Sequence, residues 1–453
     1  MLIKDKKFYK NLLIIALPIA LQNLIANGLN LMDSLMVARV SQSAVSSVSL
    51  ANQPGFILSL LFFGISSGAA VLASQYWGKG ETKVISKLIG IAMRFASIAA
   101  IIFFILTELF PVQIMSLFTS DPNIISEGVS YLRIIAFTYL CIGITMTYMV
   151  IIRSAEKVKI SLYLSIITFF MNVFLNYILI FGKLGAPKLG IEGAAIATVI
   201  SRLFELTVTI VYAKKFNNVI KFKFKYIIEK NRVLLKDFFS YSLPVVYNEF
   251  LWGLGISMQS VIMGHLSSEA VTAYSIAALI QNFCVVFLIG LANASAVIVG
   301  KTIGTGDEKY AKKTGATLLT LSFGIGIFTA LLIILIIPIM NLIYPLSGIT
   351  KSYLNTILIT NACYALVYCP AILNIVGVFR GGGDTKFSLL LDIISLWICS
   401  ILFGFLGAYV FKFSVPIVYI ILKSDEIVKF VVGLYRFKGG KWLKNVLNKE
   451  LLS

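Results

Sequence analysis

Long apolar runs separated by short polar segments dominate the chain. When boundaries are placed at charges, glycines and prolines, runs of roughly 20 residues recur twelve times, the length at which a helix crosses a ~30 Å hydrocarbon core. None shows the ten-residue alternation of a membrane strand barrel. The pattern predicts an all-α membrane protein with twelve transmembrane helices. The predicted spans lie near 11–33, 52–74, 88–110, 129–151, 160–181, 191–213, 239–264, 272–299, 314–343, 353–378, 388–411 and 414–435.

Composition supports a bilayer environment. Hydrophobic residues make up 58% of the chain and charged residues 13%, and the mean hydropathy is +0.92. A large soluble protein would carry about twice that charged fraction. The five cysteines form no C-x-x-C pair, so neither a disulfide framework nor a zinc site is predicted. The basic start followed by a long apolar run favours a retained first span over a cleaved signal peptide.

The net charge of +19 is distributed unevenly along the predicted topology. If the N-terminus is cytoplasmic, the inner segments hold 29 of the 39 Lys and Arg residues and the outer loops hold five. This bias is the positive-inside signature and predicts that both termini are cytoplasmic. The basic balance therefore indicates topology and contact with anionic lipid, and we expect no nucleic-acid partner.

The two halves of the chain align with each other at an offset of 226 residues. The matched pairs are Pro18–Pro244, Ser41–Ser267, Gly64–Gly290, Gly78–Gly304 and Gly80–Gly306. Six spans per half is an even number, so the halves are predicted to be parallel repeats, with a substrate cleft between them. We predict an N-terminal lobe at 1–213, a basic cytoplasmic linker at 214–237, a C-terminal lobe at 238–435 and a basic tail at 436–453.

The first span, within "ANGLNLMDSLMVA", carries an acid. Asn23, Asn27, Asn30 and Ser34 fall on one helical face, and Asp33 lies beside it. A charge at mid-bilayer costs at least ~2.5–3.5 kcal/mol, so it needs a partner, water or a functional reason. We interpret Asp33 as a functional residue, with a structural hydrogen bond to a neighbouring helix as the alternative.

Further candidates lie in other spans. Glu249, five residues after Pro244, and Asp392 are predicted, together with Asn30, to line a cavity for substrate or a second ion. Asn172 and Asn176 are one helical turn apart. Their side-chain carbonyls suit a hard monovalent cation or the support of a neighbouring carboxylate. Interhelical hydrogen bonding is the alternative.

Other charged groups favour structural roles. Arg202 and Glu205 are three residues apart and are predicted to pair on one helix. A mixed cluster in the last span is interpreted as an ion-pair network facing the bundle: Lys423, Asp425, Glu426 and Lys429. No nucleotide-binding motif is found, because "SAVIVGKT" lacks the first glycine of a phosphate loop. We therefore expect a transporter driven by an ion gradient, without enzymatic activity or a cofactor.

Several motifs together resemble the multidrug and toxic compound extrusion (MATE) transporters of the prokaryotic branch. They are "LPIALQNL…MDSLMVARV", "SGAAVLASQYWGKGE", "IIRSAEKVK", "LGIEGAAIATVIS", "VFRGGGDTK" and "LYRFKGGKW". The resemblance runs nearly end to end. It implies a twelve-helix, two-lobe antiporter of the plasma membrane. Such an antiporter expels small cationic or amphipathic organic compounds in exchange for Na⁺ or H⁺. We expect it to act as a monomer. A lipid-linked oligosaccharide flippase of the same superfamily is the alternative.

The resemblance also assigns a cation-coupling site. It implies that Asp33 is the coupling aspartate, that Asn172 and Thr198 are its polar partners, and that Tyr131 is an adjacent tyrosine, with Na⁺ possible at Asp33, Asn172 and Thr198. Asn176 stands where the archetypal site has a second aspartate, which removes a negative charge. Glu249 resembles an acidic residue that some members place in the second lobe.

Overall fold

The computed structural model describes residues 2–343 and 346–451, and this part of the chain is helical, with no strand. We number the twelve longer elements α1 to α12. They are α1 Lys6–Ala38, α2 Gln42–Lys79, α3 Thr82–Leu109, α4 Pro122–Arg153, α5 Lys159–Phe181, α6 Gly190–Phe216, α7 Arg232–Leu266, α8 Ser268–Cys284 with Val286–Gly304, α9 Glu308–Ile343, α10 Gly348–Phe379, α11 Thr385–Val410 and α12 Val415–Leu422 with Ser424–Lys438. Short helices occupy Pro111–Ser116, Lys225–Ile228 and Lys449–Leu451.

The prediction of an all-helical membrane protein is confirmed. In the described ranges, ten helices are long and apolar enough to cross a bilayer, one in each element except α7 and α12. In α8 only Val286–Gly304 qualifies. The two exceptions have different causes: α7 carries the polar residues Glu249 and Gln259, and α12 is divided at Lys423 into segments of 8 and 15 residues. The count of twelve spans stays a prediction.

Two predicted spans are not continuous helices, which corrects the sequence-based boundaries. The eighth is interrupted at Val285 and the last at Lys423. At the second break the Leu422 carbonyl accepts hydrogen bonds from Ser400 Oγ at 2.6 Å and from Gln259 Nε2 at 3.3 Å. A helix can end inside a buried bundle when other residues satisfy its last carbonyls in this way.

The sequence repeat reappears in local geometry. Ser41 and Ser267 each cap a helix, accepting from the backbone N–H three residues on at 2.9 and 3.0 Å. Gly80 and Gly306 have φ values of +88° and +87°, a left-handed conformation that favours glycine. The matched positions therefore build the same turn and the same cap twice.

By its contacts the chain divides into two compact units. The N unit comprises 22–73 and 80–246, and the C unit comprises 2–21, 74–79 and 247–451 within the described ranges. This division differs from the predicted lobes in the placement of 1–21, 74–79 and 238–246. The lobe boundaries themselves stay a prediction, and the end of the predicted tail, 452–453, lies outside the described residues.

Close helix packing in each unit positions the polar residues of interest. In the N unit, a Cβ on Gly193 would lie 2.5 Å from the Leu179 carbonyl oxygen, so α6 approaches α5 closely. In the C unit, a Cβ on Gly255 would lie 2.4 Å from the Leu396 side chain, which brings α7 against α11. At Gly193 the near atom belongs to the backbone, so a larger residue there would prevent this helix separation.

Candidate ion-coupling site

Four predicted residues of the N unit form one hydrogen-bonded chain across three helices. Asn176 Nδ2 donates to Asp33 Oδ1 at 2.6 Å and to Asn172 Oδ1 at 2.9 Å. Asn172 Nδ2 in turn donates to Thr198 Oγ1 at 3.2 Å. The Thr198 hydroxyl donates to the Ala194 carbonyl at 3.0 Å. The structure thus brings Asp33, Asn172, Asn176 and Thr198 together, and Asn176 is the direct partner of the acid.

The local sequence explains this arrangement. Asn172 and Asn176 are four residues apart on α5, so both side chains leave the same face of the helix. Both are fully buried, with 1% and 0% of their surface exposed. The close approach of α6 at Gly193 then places Thr198 beside this face.

One atom of this hydrogen-bonded chain of side chains has no partner. Asn176 Oδ1 is buried and accepts no hydrogen bond. Leaving a buried acceptor unsatisfied costs about 1–3 kcal/mol. Because the amide nitrogen of the same residue already holds Asp33 and Asn172, the free oxygen is open to a donor or a cation that arrives at the carboxylate.

Asp33 lines a cavity of about 510 Å³ within the N unit. Thr198, Tyr131 and Asn30 line the same cavity. The structure therefore places Asn30 beside Asp33, whereas the sequence grouped it with Glu249 and Asp392. Aromatic rings make up part of the wall: Phe56, Phe62, Tyr131 and Tyr139. A volume of this size is typical of small-molecule sites, which occupy about 300–1,000 Å³.

Two further residues complete the polar part of this cavity. Tyr131, buried on α4, accepts a 3.4 Å hydrogen bond from Asn52 Nδ2. Arg202 also lines the cavity, and its Nη1 lies 2.6 Å from Glu205 Oε2, which confirms the predicted pair. Sequence reasoning placed neither Asn52 nor Arg202 at the site. No motif of the sequence marks Asn52, and the sequence favoured Arg202 only as the partner of Glu205.

Glu249 and Asp392 do not belong to the hydrogen-bonded chain around Asp33. They form part of a buried network in the C unit. Arg380 Nη2 lies 2.7 Å from Glu249 Oε1 and donates to Asn248 Oδ1 at 2.5 Å. Asn248 Nδ2 donates to Asp392 Oδ2 at 2.8 Å, and Lys429 Nζ lies 2.9 Å from Asp392 Oδ1. Asn248 therefore connects two ion pairs. Sequence reasoning missed Arg380, although the motif "VFRGGGDTK" contains it.

The predicted ion-pair network of the last span is confirmed around Lys429. Its ammonium lies 2.7 Å from Asp425 and 3.7 Å from Glu426, in addition to Asp392. Lys423 lies over the Tyr419 ring, 5.7 Å from its centroid. The network thus joins α7, α10, α11 and α12 through charged groups.

These features define a class. A duplicated helical membrane protein with a half-buried acid on the wall of a ligand-sized cavity is an integral membrane transporter. The MatE family model matches residues 18–178 and 244–406, once in each half, and the chain therefore belongs to this family of MATE transporters. The resemblance stated from the motifs is confirmed.

Individual relatives agree over nearly the full length. The chain is 25% identical over 450 residues to a probable multidrug resistance protein NorM of Thermotoga maritima, covering 97% of this chain and 95% of the relative. It is 23% identical to a probable multidrug resistance protein YoeA of Bacillus subtilis, covering 95% and 94%. A solved structure described as the outward-facing conformation of a multidrug resistance MATE family transporter has a TM-score of 0.87 at 17% identity, with 96% of each chain covered.

Proposed function

We propose that this protein is a secondary active antiporter of the plasma membrane. It exports small cationic or amphipathic organic compounds in exchange for an ion, by alternating access, acting as a monomer with both termini in the cytoplasm. The observation that carries the proposal is the Asp33 carboxylate, held by Asn176 on the wall of the 510 Å³ cavity. The names of the NorM and YoeA relatives support drug or toxin export.

The charge and the rings of the cavity favour organic cations. Asp33 contributes a carboxylate, while the positive charge of Arg202 is paired with Glu205. Rings such as Tyr139 and Phe56 offer cation–π contacts to a flat, positively charged compound. A lipid-linked oligosaccharide carries anionic phosphate, for which this cavity provides no unpaired base among its lining residues. The flippase alternative is therefore the weaker one.

The hydrogen bonds of the site favour a proton over Na⁺ as the coupling ion. A hard cation needs several oxygen ligands at once. Besides Asp33, the unpartnered oxygen of the hydrogen-bonded chain is Asn176 Oδ1, whereas Asn172 Oδ1 and Thr198 Oγ1 each already accept a hydrogen bond from a neighbouring amide. A proton needs only the carboxylate.

Coupling follows from neutralisation of Asp33. The charged form is stabilised by the Asn176 amide, and the neutral form no longer requires it. An ion that binds one conformation better than the other shifts their populations, which is the physical content of antiport. Release of the ion at the opposite face restores the charge and readies the cavity for cargo.

The experiment is efflux of a fluorescent organic cation, such as ethidium, from proteoliposomes. Gradients of H⁺ and Na⁺ are imposed separately, and a protonophore collapses the former. We expect the H⁺ gradient alone to drive efflux. Transport under the Na⁺ gradient alone would reassign the ion, and transport under neither gradient would contradict the antiport proposal.

A further inference from the structure

Glu426 is the least compensated carboxylate of the buried network in the C unit. Three carboxylates surround the single Lys429 ammonium, and Glu426 is the farthest, at 3.7 Å, compared with 2.7 Å for Asp425 and 2.9 Å for Asp392. Glu426 Oε2 is buried and has no hydrogen-bond partner. Only 7% of the residue is exposed.

The charges of the network do not balance. Its acids are Glu249, Asp392, Asp425 and Glu426, and its bases are Arg380, Lys423 and Lys429. One negative charge is therefore in excess in a buried environment, where an uncompensated ion costs several kcal/mol. The excess disappears when one acid holds a proton. The other three carboxylates each have an ion pair of 2.9 Å or less, which leaves Glu426.

A small cavity adjoins this carboxylate. It measures about 10 Å³, which is close to the space that one water molecule needs. Glu426, Asn361 and Lys423 line it. Asn361 is 4% exposed, and while its Oδ1 accepts from the Tyr419 hydroxyl at 2.6 Å, its Nδ2 is buried without a partner.

An unpartnered donor and an unpartnered acceptor thus face one water-sized space. A water molecule there accepts from Asn361 Nδ2 and donates to Glu426 Oε2 when the acid is charged. When the acid is protonated, the same water accepts from its O–H instead. Both states are hydrogen-bonded, so the proton can be exchanged without leaving a buried polar group unsatisfied.

Other titratable groups surround Glu426 on the elements packed against it. On α12 they are Lys423, Asp425 and Lys429, on α11 Asp392, and on α10 Tyr364, Tyr368 and Cys369. The carboxylates of Asp392 and Asp425 are each paired with Lys429. The Lys423 ammonium lies over the Tyr419 ring.

We propose that Glu426 and the adjoining cavity form a second proton-binding site, in the C unit, which takes up one proton through a water molecule held by Asn361. Its role in transport rests on the proposed antiport, in which it would add a proton to the one at Asp33. The binding of the proton itself does not depend on that role.

The test is infrared spectroscopy of the purified full-length protein in liposomes during a pH titration. We expect a carbonyl stretch of a protonated carboxylic acid that is lost in Glu426→Gln. It should persist in Asp33→Asn and in Glu269→Gln, which changes a half-buried acid in the first turn of α8, outside the network. A carbonyl band that is unchanged in Glu426→Gln would overturn the proposal. A band that is lost only in Asp33→Asn would also overturn it, but it would agree with the proposed antiport, because the proton would then be bound at Asp33.

A second variant covers the case in which Glu426→Gln does not fold. Asn361→Leu keeps the acid and removes the amide that holds the water. We expect the carbonyl band to move to higher wavenumber, because the acid loses its hydrogen-bonded neighbour. An unmoved band contradicts the water-mediated site.

Discussion

The Asn176 amide donates to the Asp33 carboxylate at 2.6 Å and simultaneously to Asn172 at 2.9 Å. One side chain therefore stabilises the acid and fixes its orientation relative to α5. The archetypal family site, by the resemblance of the motifs, carries an acid at the position of Asn176. The exchange of an acid for an amide is consistent with a site that binds a proton.

Asn176→Asp should convert this site towards Na⁺. A second carboxylate adds one negative charge within hydrogen-bonding distance of Asp33, worth ~1–4 kcal/mol for a bound cation, which is about 5-fold to 1,000-fold in affinity. The measurement is efflux from proteoliposomes as a function of Na⁺ concentration. We expect Na⁺ stimulation in the variant that the parent lacks. Asn176→Ser, which adds no charge, is the control, and equal Na⁺ responses in all three proteins would contradict the prediction.

Removing only one partner of the ion pair between Arg380 and Glu249 should destabilise the protein, whereas removing both should cost much less. Arg380→Met leaves Glu249 buried without its 2.7 Å partner, which costs ~3–5 kcal/mol. We expect a marked fall in the unfolding temperature in detergent. The double variant Arg380→Met/Glu249→Gln should recover much of it, because no uncompensated charge remains.

The double variant Arg380→Met/Glu249→Gln separates stability from transport, because it removes the acid without leaving the Arg380 charge unpaired. If Glu249 serves the cargo or a second ion, the double variant should fold but export organic cations less well than the parent. Parental efflux by the folded double variant would return Glu249 to a purely structural role.

The site in the N unit could largely be predicted from sequence, whereas the network in the C unit could not. Asn172 and Asn176 share a face because of their spacing, and the motifs single out Asp33 and Thr198. The pairing of Arg380 with Glu249 depends on how α10 packs against α7, which local periodicity does not contain. The same holds for the break at Lys423, since Ser400 and Gln259 satisfy the Leu422 carbonyl from distant parts of the chain.

The linker at 214–237 should be reached only from the cytoplasm. Lys221→Cys and Lys351→Cys replace exposed residues and lie, by the charge bias, on opposite faces of the membrane. In a background without the five native cysteines, an impermeant maleimide added to intact cells should label only Lys351→Cys. Labelling of both from outside would contradict the topology.

Contacts with α3 hold this linker within the N unit. Lys87 Nζ lies 2.8 Å from Glu229 Oε1, and Arg94 Nη2 donates to the Glu229 carbonyl at 2.7 Å. The hydrogen bond and charge of Lys87 hold the pKa of Glu229 below its usual range. These contacts position the stretch that the labelling experiment probes.

Exchange of the coupling ion at Asp33 is tested by the variant Asp33→Asn. The amide keeps the shape of the side chain and cannot take up and release a proton. The matched control is Asp121→Asn, the same chemical change at an exposed N-cap where Asn serves as well as Asp.

The decisive measurement is ethidium efflux from proteoliposomes under an imposed H⁺ gradient, with ethidium binding measured on the same preparations across pH. We expect that Asp33→Asn folds and binds ethidium, and that its affinity for ethidium no longer responds to pH. Gradient-driven efflux should fall by about 5–150-fold, the usual range of coupling between sites. Asp121→Asn should behave as the parent. Parental efflux with parental pH dependence in Asp33→Asn would show that Asp33 does not exchange the coupling ion.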